Sequence, residues 1–391
     1  KKIRIMSSEI KKYFFFLSKL FFIFLVLIEF FSFVTSMLQI IPVNDTPYKY
    51  NGSNFRDLRT EENIWGAWHK KNKTVKHKEK CLNATYTTNS VGAKDGSFLI
   101  KKDKKKRVVL LGDSFAESYG LDNEQSFDAE LERLSDLDIY NFGFSGSAGP
   151  LQYYLIYENL AKKYEHDSLI IFFLPGNDFT DNDYSLWKKR GWDTWAKNSV
   201  RYRPYYKKTN NSFDYFIPKD ATKRKDWQFS NKRKKLRSVV KEFANNYLWT
   251  MNVYKSFAYI KSYKKIEDDK KRYSGFFDAT LEQQNSSIYF LRKIVTSKKF
   301  DFIRIVVFPT GEDLKRINEL PSNSLDNQNW FKKLQKIPLE TDNDDFKIIN
   351  IADYVNNEKD YQQYLHECDQ HLSYKGIIYV SKIINDDING N

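Results

Sequence analysis

The sequence predicts an α/β fold: a three-layer αβα doubly wound parallel sheet, preceded by one N-terminal transmembrane helix and interrupted by a basic helical insertion. Three observations predict it. Short aliphatic runs of buried-strand length alternate with helical stretches from residue 107 onward, the unusual polar residues collect at the ends of those runs, and one long apolar stretch lies near the N-terminus. At 391 residues the chain is long enough for one large α/β core with attachments.

Residues 1–12 read as a basic cytoplasmic tail carrying Lys1, Lys2, Arg4, Lys11 and Lys12. Residues 13–43 read as the transmembrane helix, since the run from Leu20 to Val43 suffices to cross a hydrocarbon core of about 30 Å. Positive residues on its N-terminal flank keep that side in the cytoplasm, which places the rest of the chain in the periplasm or outside the cell. Val34-Thr35-Ser36 fits a signal peptidase, but the apolar stretch exceeds a signal core and favours an uncleaved anchor. Glu29, inside the span, calls for neutralisation or for a polar partner from another membrane protein.

Residues 44–106 show no sustained period and read as an irregular extracytoplasmic linker packing partly on the domain, with Trp65, Trp68 and the turn-rich 89–95 as ordered loop. The domain itself covers 107–391. Arg107 to Leu111 is a buried strand that ends sharply at Gly112-Asp113-Ser114. Ser126 to Leu134 has helical spacing through Phe127, Leu131 and Leu134. Leu137 to Phe142 is a second strand ending in Gly143, Gly146 and Gly149. Leu151 to Tyr164 is helical, and Ser168 to Leu174 is a third strand that runs into Pro175-Gly176-Asn177-Asp178.

The rhythm breaks over the insertion, residues 183–272. Its Leu236 to Ile260 portion reads as one amphipathic helix with a Lys-rich opposite face. Alternation resumes with a helix near Leu281 to Ser297, a strand at Phe302 to Phe308, a strand around Lys347 to Ile351, and a closing helix from Tyr374.

Charge is concentrated in the insertion. Lys188 to Arg272 holds 25 Lys and Arg against 8 Asp and Glu, so the rest of a chain with net charge +14 is slightly acidic. That segment has three readings: a solvated lid, a surface for anionic lipid headgroups, or a surface for an anionic polysaccharide. Its exported position excludes nucleic acid as a partner. The surplus of Tyr and Phe either reflects low-GC codon usage or supplies flat surfaces for sugars and lipid interfaces. Cys81 and Cys368 fit neither a zinc spacing nor a redox C-x-x-C motif. In an oxidising compartment they can pair as a disulfide, and the alternative is two unrelated thiols.

A serine hydroxyl attacks an ester when a base takes its proton, a third group orients the base, and donors meet the oxyanion. Ser114 sits at a strand end before an expected helix, whose dipole would favour negative charge at the Ser114 N–H. Gly146 can bring a bare backbone N–H close to a ligand, and Asn177 supplies a neutral side-chain donor. His371 supplies a base, with Asp369 two residues before it to fix the tautomer. His366 is a competing base that lacks an Asp at minus two.

These residues resemble the SGNH (GDSL-like) superfamily. Gly112-Asp113-Ser114-Phe115 is similar to its first block, Asn141 to Gly146 to its second, Gly176-Asn177-Asp178 to its third, and Asp369-Gln370-His371-Leu372 with Gly376 to its fifth, in family order from Arg107 to about Ile384. The resemblance implies a flavodoxin-like αβα sheet, a catalytic Ser114-His371-Asp369 triad, and an oxyanion hole from the backbone of Ser114 and Gly146 with the Asn177 side chain. It implies no metal and no organic cofactor. The commonest fifth block is D-x-x-H, which would put the acid at position 368, where this chain has Cys368. The D-x-H form is similar to exported polysaccharide O-acetyltransferases. The resemblance therefore implies a membrane-anchored enzyme that adds or removes O-acetyl groups on a carbohydrate, with a multi-pass acyl-donor or export partner. A non-catalytic glycan-binding or assembly subunit on the same fold is the reading from another class.

Overall fold

The computed structural model describes residues 2–38, 40, 55–78, 82–146, 148–190, 200–210, 212–223, 240, 243–244, 247–254, 256–257, 273–319, 324–355, 357–366 and 370–390. By its internal contacts the chain divides into two compact units, residues 1–51 with 233–271, and residues 52–232 with 272–391.

In the smaller unit one helix, α1 (Lys2–Met37), runs through the basic tail and the apolar stretch without a break. Its portion Ile10–Met37 is long and apolar enough to cross a membrane. Residues 41–51, which include the end of the apolar run, lie outside the described residues. Among the described residues of the insertion in this unit, 240, 243–244, 247, 249–254 and 256–257 are helical and Leu248 is not, so the expected single helix from Leu236 to Ile260 is corrected to one interrupted at Leu248.

The larger unit opens with two antiparallel hairpins. β1 (Arg59–Glu62) pairs with β2 (Gly66–His69), and β3 (Thr74–Lys78) pairs with β4 (Asn83–Thr87). The described part of the stretch read as irregular linker therefore includes two hairpins. β3 and β4 alternate buried and exposed residues, and Val75, His77, Ala84 and Tyr86 form the buried side.

Next come β5 (Lys106–Leu111), α2 (Phe127–Leu134), β6 (Leu137–Asn141), α3 (Pro150–Asn159), β7 (Ser168–Phe173), α4 (Pro175–Asp181) and α5 (Tyr184–Arg190). The described part of the insertion that belongs to this unit holds one helix, α5, followed by short strands. β8 (Val200–Arg201) pairs in parallel with β11 (Ala221–Thr222), and β9 (Tyr205–Lys208) pairs antiparallel with β10 (Phe213–Phe216). Helix Leu281–Val295 leads to β12 (Ile303–Val307), and β13 (Phe346–Asn350) precedes the last helix, Tyr374–Asn389. Between β12 and β13 stand helices Gly311–Glu319 and Asn329–Lys336, which the sequence reading left unassigned.

Five of these strands form one parallel sheet in the order β13-β12-β7-β5-β6. Numbered by their own succession the strands run 2-1-3-4-5, the flavodoxin-like doubly wound order. Strand periodicity divides the core in two. Val109, Leu111, Leu169, Ile171, Phe173, Ile305 and Val307 face α3 and the helices that begin at Leu281 and Asn329. Val108, Leu110, Ile139, Ile170, Phe172, Val306 and Ile349 face α2 and the C-terminal helix. Both faces are covered, as continuous apolar strands such as SLIIFF require.

Candidate active site

β5, β6 and β7 all point their carboxyl ends to one edge of the sheet, where ligands of open α/β folds bind. Beyond β5 the chain turns so tightly that a Cβ on Gly112 would come within 2.7 Å of Ala116 Cβ and 2.9 Å of Phe172 Cβ. The expected helix is found as α2, but successive turns over 114–120 separate it from Ser114, closed by Glu117 N to Asp113 O, Ser118 N to Phe115 O and Tyr119 N to Ser114 O, each 3.0 Å. The helix-dipole contribution expected at Ser114 is therefore absent, and the first helix of the domain is α2. Ser118 adopts φ +56°, a left-handed position, and its buried hydroxyl accepts from Phe127 N at 3.0 Å, which ties the turn to the start of α2.

The structure brings Ser114 and His371 together. His371 Nε2 lies 2.8 Å from Ser114 Oγ, with the imidazole 4.5 Å from the Tyr119 ring and 5.8 Å from the Phe115 ring, centre to centre. His371 is held by a short antiparallel bridge, Leu365 to Leu372, and by His366 N donating to His371 O at 2.8 Å. His366, the competing base, thus serves His371 through its backbone. Helix Tyr374–Asn389 starts just behind, capped by Ser373. Asp369, Cys368 and Cys81 lie outside the described residues, as do the expected tautomer-fixing contact and disulfide.

Asn177, in the first turn of α4, donates through Nδ2 to Asp113 Oδ2 at 2.8 Å, while Phe115 N donates to Asp113 Oδ1 at 2.9 Å. Burial pushes the Asp113 carboxyl up, against the opposing effects of Asn177, the Phe115 N–H and the charge of His371. Asp178 is buried beneath, accepting from Tyr153 OH at 2.7 Å and Leu174 N at 2.8 Å. Burial and the nearby Asp113 raise it well above the usual carboxylate range.

The loop after β6 packs directly on the Ser114 turn. A Cβ on Gly143 would lie 2.5 Å from Glu117 N, so only glycine permits this approach. Gly146 has φ +133°, and its carbonyl accepts from Arg201 Nη1 at 2.5 Å. Arg59 donates to both the carbonyl and the hydroxyl of Ser145, and Ser145 N donates to the Glu117 carboxylate. Glu117 is fully buried, with His69 Nε2 3.6 Å away. Burial pushes Glu117 up, but the His69 ring, Arg59 and the Ser145 N–H more than reverse this and bring it down to about 2. Burial, then the guanidiniums of Arg203 and Arg59, pull Arg201 down to about 10.

Sequence reading missed Arg59, His69, Glu117 and Arg201, because each is an isolated polar residue in a segment without a motif. A partial signal existed in the buried hairpin tryptophans, which mark 59–69 as packed. Among the described residues no group of three or more His, Cys, Asp or Glu is placed to hold a metal ion.

No protein-family model matches this sequence, and no curated protein matches it. Among solved structures it is similar to a protein assigned to the lipolytic G-D-S-L family from Desulfitobacterium hafniense DCB-2, at 10% identity and TM-score 0.30, covering 72% of this chain and 99% of that one. It is also similar to the lipase/acylhydrolase from Enterococcus faecalis, at 12% identity and TM-score 0.31, covering 73% and 96%. The fold follows from the strand order and the two covered faces.

Proposed function

We propose that this chain is a membrane-anchored serine acyl-ester enzyme acting on O-acyl groups, O-acetyl in particular, of an exported polysaccharide. The observation that carries the reading is the 2.8 Å approach of His371 Nε2 to Ser114 Oγ at the carboxyl edge of a parallel sheet. Ser114 Oγ attacks the acyl carbon while its proton passes to His371 Nε2. The negative oxygen of the tetrahedral adduct is met by the N–H groups of Ser114 and Gly146 and by Asn177 Nδ2. Collapse releases the alcohol, which leaves with the proton from His371, and an acyl-Ser114 ester remains. Water or a sugar hydroxyl then gives its proton to His371 and takes the acyl group, so hydrolysis and transfer share one intermediate.

Transfer is favoured slightly over hydrolysis, because an anchored, exported enzyme meets surface glycans continuously. Its acyl donor would arrive through a multi-pass partner. The helix Ile10–Met37 serves as the anchor, with the basic N-terminal flank on the cytoplasmic side. Asp369 orients His371, and Cys81 pairs with Cys368.

The test is turnover of a chromogenic acetyl ester by the detergent-solubilised full chain beside Ser114→Ala. Equal rates in the two proteins would leave the non-catalytic glycan-binding reading. Where turnover depends on Ser114, adding sugar acceptors and finding acetylated product separates transfer from hydrolysis.

A further inference from the structure

The apolar helix α1 carries one polar stripe. Glu29, Ser32 and Ser36 recur at i, i+3 and i+7 in the stretch from Leu20 to Met37, where Thr35 is the one other polar residue. At the rise of an α-helix Glu29 lies about 12 Å from the end at Met37, inside the distal half of the span. An acid at that depth requires a polar partner. The partner belongs to the same chain and the same compact unit.

The backbone N–H groups of Trp249 and Thr250, where a helical piece begins after the break at Leu248, both donate to the Glu29 carboxylate, the second at 3.2 Å, and Thr250 Oγ1 donates to it as well. Three residues on, Asn252 Nδ2 donates to Ser36 Oγ at 3.0 Å, and the Trp249 ring meets Phe33 edge-on at 5.3 Å.

The described residues on both sides of Leu248 are inverted relative to a helix in water. Asn252 and Ser256 are 2% and 0% exposed, whereas Phe243, Tyr254 and Phe257 are 57%, 67% and 59% exposed. Apart from Trp249, which packs on Phe33, the described aromatic rings are exposed while Asn252 turns to α1, as in elements whose outer solvent is hydrocarbon. The sequence agrees: Phe243 to Ile260 contains six aromatic residues and a single charge, Lys255, between flanks rich in Lys and Arg at 233–241 and 261–271. Aromatic side chains with basic flanks match the acyl-headgroup boundary of an anionic leaflet.

We infer that residues 243–257 insert into the outer leaflet of an anionic bilayer beside α1, with Glu29 as the clasp and lipid covering the exposed aromatic face. The inference rests on α1 being a retained anchor, and the experiment separates the two. The full chain is reconstituted into vesicles of phosphatidylethanolamine and phosphatidylglycerol with acyl-brominated chains, and Trp249 emission is taken as the difference between the wild type and Trp249→Phe. Flotation with the vesicles and loss of the Trp249 emission are expected, while the emission remaining in Trp249→Phe persists. A chain that fails to float overturns both readings. A chain that floats with Trp249 unquenched overturns the insertion and leaves the anchor standing. Glu29→Leu removes both acceptor oxygens and is expected to restore Trp249 emission without loss of flotation, whereas Glu29→Gln, which keeps one acceptor, retains part of the quenching. Equal quenching in Glu29→Leu and wild type would overturn the clasp.

Discussion

His371 Nε2 stands 2.8 Å from Ser114 Oγ although 257 residues separate the two in sequence. Four strand-to-strand crossovers and the bridge between Leu365 and Leu372 lie between them, so the approach is a product of the whole sheet and not of a local motif. With His371 as the base, His371→Ala lowers kcat for an acetyl ester by roughly a thousandfold or more, while KM changes little. His366→Ala leaves turnover near wild type. Steady-state kinetics on both variants decide the assignment, and a rate lost only in His366→Ala would reverse it.

Asn177 reaches the site from a different strand end and is tied to Asp113 through one of its two amide hydrogens. The other is available to a developing oxyanion. Asn177→Ala is expected to lower kcat by about a hundredfold to a thousandfold. Asn177→Asp should do at least as badly, since it sets a second carboxylate against Asp113. Unchanged kcat in Asn177→Ala would remove this residue from the oxyanion hole.

The legible part of this chain was the part built from repetition. Runs such as VVLL and SLIIFF can satisfy their backbones and bury both faces only as central parallel strands, so the sheet and its carboxyl-end loops followed from pattern alone. The hairpins at 59–87 escaped because strands of four or five residues are too short to carry much periodic signal, and β1 and β2 do not alternate buried with exposed residues at all. Arg59, Glu117 and Arg201 escaped for another reason: an isolated charge gives no sign in sequence of whether it is solvated or buried against a loop. The stretch 236–260 misled by its own regularity. Helical spacing of apolar residues identifies an amphipathic surface but does not tell whether its apolar side turns inward to protein or outward to lipid, and it gave no warning of the break at Leu248.

Glu117 holds the loop before Gly146 through the Ser145 N–H. Because its folded pKa of about 2 lies below its ordinary value of 4.5, its ionised form stabilises the fold fully above about pH 5 and the contribution disappears as pH falls towards 2. The stability difference between wild type and Glu117→Gln should therefore be level near neutrality and shrink by about 3 kcal/mol across that acid window. Urea unfolding of both proteins at stepped pH provides the check, and a difference that does not vary with pH would mean that the Glu117 carboxyl titrates in the fold as it does in the unfolded chain.

Lys94 supports the same turn from behind. Its side chain is buried, Nζ donates to the carbonyls of Glu117 and Ser118 at 3.1 Å each, and the ammonium lies 4.2 Å from the centre of the Tyr86 ring. Burial pulls it down to about 8, although Glu117 and Asp128 oppose the shift. A lowered lysine has the opposite linkage to a lowered carboxylate. Between pH 8 and 10.5 the unfolded chain binds the extra proton, so the native state gains stability as pH rises through that window, and below pH 8 the burial cost is constant. Wild type should therefore gain about 3 kcal/mol on Lys94→Met between pH 8 and 10.5 and none between pH 6 and 8. Since the Glu117 effect is confined to acid and the Lys94 effect to alkali, one pH series on the two variants reads each side of the Ser114 turn separately. A flat alkaline difference would mean that the Lys94 ammonium is solvated, and the rear support of the turn would have to be sought elsewhere.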